Sequence, residues 1–524
     1  MTERLPGEDR TEDDNVLLDG KGLSVHRVNE IAREPAVIRP ADAALELTRR
    51  SWETAVRVSS RQAVYGRTTG VGGNRETSVS DGVQQDLRLL RSHATGSGPR
   101  LPDRLVRAAI VIRTNQILNG GSGMHPDIID GLVAAVASQN LPTVHARGAI
   151  GTGDLSAFSE IAMGLIGESP LRDGRTGIGW TPHHGDALPF ISTNAMTVAI
   201  AGDTSIEVAG WLQHCLVVSV LSVLASRSSV EPFAAQVQSA RMHFGQAEVA
   251  ERVRDLLAPH DITPVRVQDS FGFRALPQIL GATWQAVHRL QNTLSIEMNS
   301  SSENPLVSVE DDMVFHNGNF HAMPIALAVD EAKLAVASAA LLSQCRLANL
   351  SDPAVTGLRA FLADGPDGSS GTMLLEYTTS AAIAEIRSSA APGSLGHTVI
   401  SRGTEDHASF ASQAATQLAD ILAQSRLVLA CELISAVRAL SQQQRELDPA
   451  TELGAYLARA RLVLDTRTED RPLSADLSAA VNFLLNRSTS KQVDRITSRC
   501  VLERNSTISP GCVRTQVDTK VVRR

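Results

Sequence analysis

The chain has 524 residues, 43% hydrophobic and 20% charged, with a formal net charge of −8. Such a length can bury a large core, the balance is that of a soluble globular protein, and the lack of a basic block in its body argues against a nucleic-acid partner. Five scattered cysteines, Cys215, Cys345, Cys431, Cys500 and Cys512, argue against a disulfide framework and fit a reducing cytoplasm. No metal-type Cys/His spacing occurs, so no metal is expected, and His183-His184 reads as a loop pair.

Residues 1–16 are polar and acidic, lack the apolar core of a secretory signal, and read as a disordered tail. Residues 17–193 form a loop-rich region with glycine-rich turns at 65–74, 96–100, 120–123 and 148–153. Loops of this kind carry function on a rigid scaffold. Residues 194–448 predict a bundle of long helices over Asn194–Arg227, Gln278–Met298, Ala326–Leu350 and Ser412–Leu447. The last three repeat apolar residues at three- and four-residue spacing, whereas the first is apolar nearly all round and belongs deep in the bundle. Their lengths imply rods of about 30–50 Å. Val208–Ala225 is the most membrane-like run, but Gln213 and His214 interrupt it, so it reads as a core helix and no membrane partner is expected. A loop at 364–372 breaks the bundle, and residues 449–524 read as shorter helices and a basic tail. The predicted fold class is mainly α.

The local chemistry starts at Arg147-Gly148-Ala149-Ile150-Gly151-Thr152-Gly153-Asp154-Leu155. Its small residues permit close backbone approach, and Asp154 is placed to cap the helix that follows. Tyr65 lies in a Gly/Thr loop, where nearby dipoles or cations can lower a phenol's pKa enough to make it a base. His93 ends an amphipathic segment. Arg274, among apolar residues after Gln268 and Asp269, needs an anionic partner, either a substrate carboxylate or Asp269. Glu297 to Asn304 and Glu405-Asp406-His407 place carboxylates in apolar surroundings.

The order of these motifs is more specific than any one of them. Tyr-Gly-x-x-Thr-Gly-x-Gly from Tyr65, Ser-His-Ala-x-Gly around His93, the Gly-Asp-Leu loop, Gln-Asp-x-x-x-x-Arg-x-x-Pro-Gln from Gln268, Glu-x-Asn-x-x-x-x-Asn-Pro-Leu ending through Asn304, Gly-Asn-Phe-His and Glu-Asp-His follow in turn. This closely resembles the histidine/phenylalanine ammonia-lyase family, from about Leu17 to about Asp476. The resemblance implies a largely helical homotetramer acting on a small molecule at sites shared between subunits. It also implies a methylideneimidazolone (MIO) electrophile, formed when Ala-Ser-Gly cyclises in a Gly-Ser-Val-Gly-Ala-Ser-Gly-Asp-Leu loop. By the same resemblance Tyr65 removes the β-proton, His93 lies at the side-chain pocket, Arg274 binds the substrate carboxylate, and Glu405 matches the acid of histidine-directed members.

Three departures cluster on the electrophile. Only Thr152 stands where the family has Ala-Ser, so the loop is one residue short. The asparagine that bonds the MIO carbonyl aligns with Ser192, and Asn194 lies two residues displaced. A catalytic-side tyrosine aligns with Phe271. The leading expectation is therefore an enzyme that works without MIO, with Tyr65 as general base. Arg274 would orient a carboxylate, and helix N-termini near Gly153 would stabilise developing charge. Elimination, addition, isomerisation and cyclisation all fit. A second reading is a conventional ammonia-lyase or aminomutase whose MIO forms from Gly151, Thr152 and Gly153. A third is a non-catalytic homologue used in ligand binding or assembly.

Overall fold

The computed structural model describes residues 16–485 apart from Asp81, Thr176 and Ile178. The expected tails lie outside the described residues, except for Val16 and the last helix. Four long helices dominate: Ala195–Ser226, Leu276–Met298, Met323–Leu350 and Ala411–Gln442. Each extends a predicted helical segment or matches it to within a few residues. The third packs against the second and fourth, and the first lies along the fourth.

The first long helix is buried nearly all round, as its even apolar distribution requires. Its serines are accommodated because Ser219, Ser222 and Ser226 each donate to the carbonyl four residues earlier. Glu432 of the fourth helix ties three rods together. It accepts from Ser222 of the first and from Ser343 and Arg346 of the third, with an Arg346 Nε–Glu432 distance of 2.6 Å. A carboxylate so buried is tolerated because these donors satisfy it. Among the described residues one stretch is apolar and long enough to cross a membrane; it contains this first helix, and 89% of its apolar window is buried within the protein.

Strands are few and short, in three two-stranded pairs among the described residues. Val16–Leu18 pairs in parallel with Ile38–Pro40. Ser97–Arg100 pairs antiparallel with His145–Arg147, and Leu306–Ser308 with Met313–Phe315. The second pair carries the functional consequence, since it fixes the turn after His93 beside the start of the 148–153 loop. Shorter helices follow the bundle at Glu452–Val463 and Ser474–Leu485, as expected for the C-terminal region.

Candidate active site

The loop 148–153 meets the N-terminal ends of three long helices. Ile150 O accepts the N–H of Phe410, the residue before Ala411–Gln442, at 2.8 Å. Gly151 O accepts from Ala322 N, just before Met323–Leu350, at 3.1 Å, and from Ser409 Oγ at 2.8 Å. Asn194, immediately before Ala195–Ser226, accepts the Gly153 N–H at 3.2 Å and donates to Phe320 O at 2.8 Å. Helix N-termini carry partial positive charge, so this loop sits in a field that favours anions. Gly151 has φ +79° and no room for a side chain: a Cβ there would stand 2.1 Å from Ser409 Oγ and 2.7 Å from Ala411 N.

Two expectations about this loop need correction. Asn194, despite its displacement, reaches the loop, at the Gly153 amide. Ser192 is buried, but its hydroxyl makes no hydrogen bond to the loop among the described residues. Asp154 does not cap its own helix, Leu155–Ile166. Its carboxylate instead accepts from Thr197 N at 2.8 Å and Thr197 Oγ1 at 2.7 Å, binding the loop to the first turn of Ala195–Ser226. Burial pushes this carboxyl up to about 6, with the Thr197 and Ser412 hydrogen bonds opposing. The sequence pattern places a capping residue before a helix but cannot reveal that a second helix start, forty residues on, lies closer to the carboxylate.

Tyr65 lies in a turn that the segment 401–411 connects to this loop. Its hydroxyl accepts the Gly72 N–H at 2.6 Å, and its own N–H donates to His316 Nε2 at 3.1 Å. Ser401 Oγ accepts from Gly73 N at 2.9 Å, and Glu405 Oε1 would lie 3.6 Å from a Cβ at Gly72. The segment 401–411 thus runs from the Tyr65 turn to the Gly151 carbonyl and brings Glu405 to the phenol. Burial pushes the Tyr65 pKa up, Gly72 N–H lowers it, Glu405 raises it and Arg75 lowers it, for a net rise.

His93 closes the helix Val83–His93, with Nδ1 2.9 Å from Leu89 O, and the strand pair carries the following turn to Arg147. Asn304 accepts the Asn317 N–H at 2.9 Å and shapes the turn that holds His316. Beneath it, Glu303 and Arg113 pair at 2.7 Å, both fully buried. Thr152 is half-buried between the two locked glycines.

Gln268, Phe271 and Arg274 form a second cluster. With its amide oxygen turned inward, Gln268 accepts from the Arg274 guanidinium at 2.8 and 3.3 Å, and Arg274 lies 4.2 Å over the Phe271 ring. Asp269 is not its partner, because that carboxylate pairs with Arg266 at 2.8 Å and accepts from Ser229 N. Arg274 therefore makes no ion pair among the described residues, while Phe271 is 67% exposed. This cluster packs at the C-terminal end of Met323–Leu350, where Ser270 meets Asn349 and Gly272 meets Arg346. Tyr65 and the Gly151 loop lie at the other end of that 28-residue helix, about 40 Å away at 1.5 Å per residue. Within one chain Arg274 and the Tyr65 phenol do not meet.

Sequence reasoning missed the residues that hold the loop, Ser409 and Ala322, and the pair His321–His407, whose Nε2 and Nδ1 stand 3.0 Å apart. Both histidines lay inside quoted motifs, but nothing local indicated that those motifs face one another. His183 is more than a loop residue: it stacks on His125 with ring centroids 3.6 Å apart.

With this geometry in hand, likeness to known proteins can be judged. Residues 23–462 match the family model described as aromatic amino acid lyase. A histidine ammonia-lyase from Geobacillus sp. (strain WCH70) is 30% identical over 490 residues, covering 90% of this chain and 96% of that one. Tyrosine aminomutase from Streptomyces globisporus superposes with a TM-score of 0.84 at 26% identity, over 92% of this chain and 98% of that one. The ergothioneine-degrading enzyme ergothionase from Treponema denticola does so with a TM-score of 0.86 at 24% identity, over 91% and 100%, a likeness of fold. The glycine-rich loop at the helix starts and the match over most of the chain have one explanation: the protein belongs to the aromatic amino acid lyase family.

Proposed function

We propose that this chain is a lyase-type enzyme that acts without MIO, with Tyr65 as its general base and a small carboxylate-bearing substrate. The observation that carries the reading is the closed state of the shortened loop. Thr152 stands alone where the family has Ala-Ser, and the glycine before it is held in place, its carbonyl accepting from Ser409 Oγ and Ala322 N and its Cα leaving no room for a side chain. The Gly153 amide is engaged by Asn194. These residues do not fit the family's tripeptide.

In its place the substrate supplies its own activation. The Tyr65 phenolate takes a proton from carbon, the C–H electrons form a C=C bond, and the leaving group departs with its own bonding pair. A leaving group that needs no electrophile, or a C–H already acidified by conjugation, makes this feasible. The converging helix N-termini stabilise negative charge that develops near Thr152 and Gly153. Glu405 stands beside the phenol to hold a cationic or hydrogen-bonding substrate group. His93 lines the side-chain pocket, and Ser192 and Asn304 shape its walls. Arg274, steadied by Gln268 and Phe271, binds the carboxylate. Because that clamp lies about 40 Å from Tyr65 in one chain, the site is completed by a second copy, in a homotetramer. A cation brought by the partner copy or the substrate lowers the phenol's pKa towards working range.

One observation favours a second reading, in which residues 151–153 cyclise to MIO. The Gly151 carbonyl takes two donors, Ser409 Oγ and Ala322 N, which polarise it towards attack by a nearby amide. Intact and peptide-level mass measurement separates the two, since loss of two waters at residues 151–153, one on ring closure at the Gly151 carbonyl and one from the Thr152 hydroxyl, belongs only to the second. The first reading expects an unmodified mass. It also expects turnover of a compound from a panel including histidine, tyrosine and ergothioneine, abolished by Tyr65→Phe. An unmodified protein whose Tyr65→Phe variant retains full turnover would overturn it.

A further inference from the structure

We propose that His125, Asp127 and His183 form a binding site for a first-row divalent cation of the zinc type. The three residues come from two distant segments. His125 and Asp127 open the helix Asp127–Ala137, and His183 lies in the loop leading to Ala187–Ile191. Asp127 Oδ2 lies 3.2 Å from His125 Nδ1 and 3.0 Å from His183 Nε2, and the three ligand atoms all lie within 4.8 Å of one another. Donors around a tetrahedral zinc with bonds of about 2.0–2.1 Å stand about 3.4 Å apart, so two of the three spacings are already near the required value. Two imidazoles and one carboxylate suit a borderline cation, with the solvent side left for water.

Three features argue for a cation rather than a surface hydrogen-bond cluster. First, the Asp127 N–H points at His125 Nδ1 over 3.3 Å, which makes that nitrogen an acceptor. That unprotonated form is the one a metal ligand requires, and Asp127 Oδ2 lies 3.2 Å away. Second, the imidazoles stack 3.6 Å apart at an interplanar angle of 20°, which disfavours protonating both and leaves nitrogen lone pairs for a metal.

Third, the backbones that carry the ligands are fixed from below. Asp186 is fully buried and accepts the N–H of His125 and of His183, each at 2.9 Å. Arg67 donates to Gly123 O at 2.7 Å and His184 O at 3.2 Å. On the inner side, the edge of Trp52 meets the His125 ring at 4.6 Å between centroids. Coordination requires His183 to turn about χ2 so that both ring planes contain the ion, and its side chain, 41% exposed, is free to do so. The acidic residues Asp127 and Asp130 in the first turn offset the positive end of their helix. The ion would cross-link two segments that Arg67 grips, two residues after Tyr65, bracing the tyrosine turn.

The test uses the full-length protein after chelator treatment, titrated with Zn2+ by calorimetry and with Co2+ by tryptophan fluorescence. The expected result is one zinc-competable site per chain, with Co2+ quenching lost in Trp52→Phe. His183→Ala and Asp127→Asn should each weaken Zn2+ binding by more than the ~10-fold that loss of an outer-shell contact costs. Both positions are solvent-exposed, and an unchanged circular dichroism spectrum establishes that these variants fold. Absence of a stoichiometric site, or undiminished affinity in both variants, overturns the proposal. Equal affinity for Mg2+ or Ca2+ overturns the assignment to nitrogen ligands.

Discussion

Replacing Gly151 with alanine tests the central claim about the loop. The backbone there has φ +79°, and a Cβ would stand 2.1 Å from Ser409 Oγ, 2.7 Å from Ala411 N and 3.1 Å from Phe410 N. A left-handed alanine costs ~1–2 kcal/mol and overpacking a further ~1–3 kcal/mol, about 2–5 kcal/mol together. If Ser409 is pushed aside, the Gly151 carbonyl loses its hydroxyl donor, which adds ~1–3 kcal/mol. Urea unfolding of the wild type, Gly151→Ala, Ser409→Ala and the double variant measures these contributions separately. Removing the hydroxyl relieves the 2.1 Å contact but not the backbone contact with Ala411, so the double variant should recover only part of the loss. Destabilisation by Gly151→Ala below the ~0.5 kcal/mol typical of a surface change would refute the argument that this loop has no space for a side chain at Gly151.

Three other outcomes follow from the same geometry. Tyr65→Phe and Arg274→Ala should each be inactive alone, while co-expression of the two restores part of the activity, because a site shared between copies can draw an intact residue from each; no recovery in a confirmed mixed oligomer would exclude a shared site. The Asp154 carboxyl has an ordinary value of 3.8 and is raised to about 6 in the fold. Its stabilising contribution is therefore complete below about pH 4 and lost as pH rises through about 6, roughly 3 kcal/mol in all; Asp154→Asn should flatten the pH dependence of the urea midpoint across that window, and an unchanged slope would contradict the assignment. Arg113→Met leaves Glu303 fully buried without its cation and should cost ~3–5 kcal/mol in denaturant unfolding, whereas a loss under about 1 kcal/mol would mean that another donor satisfies the carboxylate.

By itself the sequence determined the long rods. Their apolar spacing is local and recurs every three or four residues, so Asn194–Arg227 and the three later segments could be drawn nearly to their ends. It also supplied the candidate residues Tyr65, His93, Arg274 and Glu405, because they sit in motifs whose order along the chain is specific. What it could not supply is any fact that depends on which helix starts share a corner of space. Asn194 reaches Gly153 because two helix beginnings converge there, and Asp154 turns to Thr197 for the same reason. Ser409 and Ala322 carry no signature, yet they hold the Gly151 carbonyl. The distance between Arg274 and Tyr65 was equally hidden, since it is set by the 28-residue rod between them. Hydrophobic periodicity is short-ranged and is written in neighbouring residues. Hydrogen bonds between segments tens or hundreds of residues apart exist only once packing has brought those helix ends together.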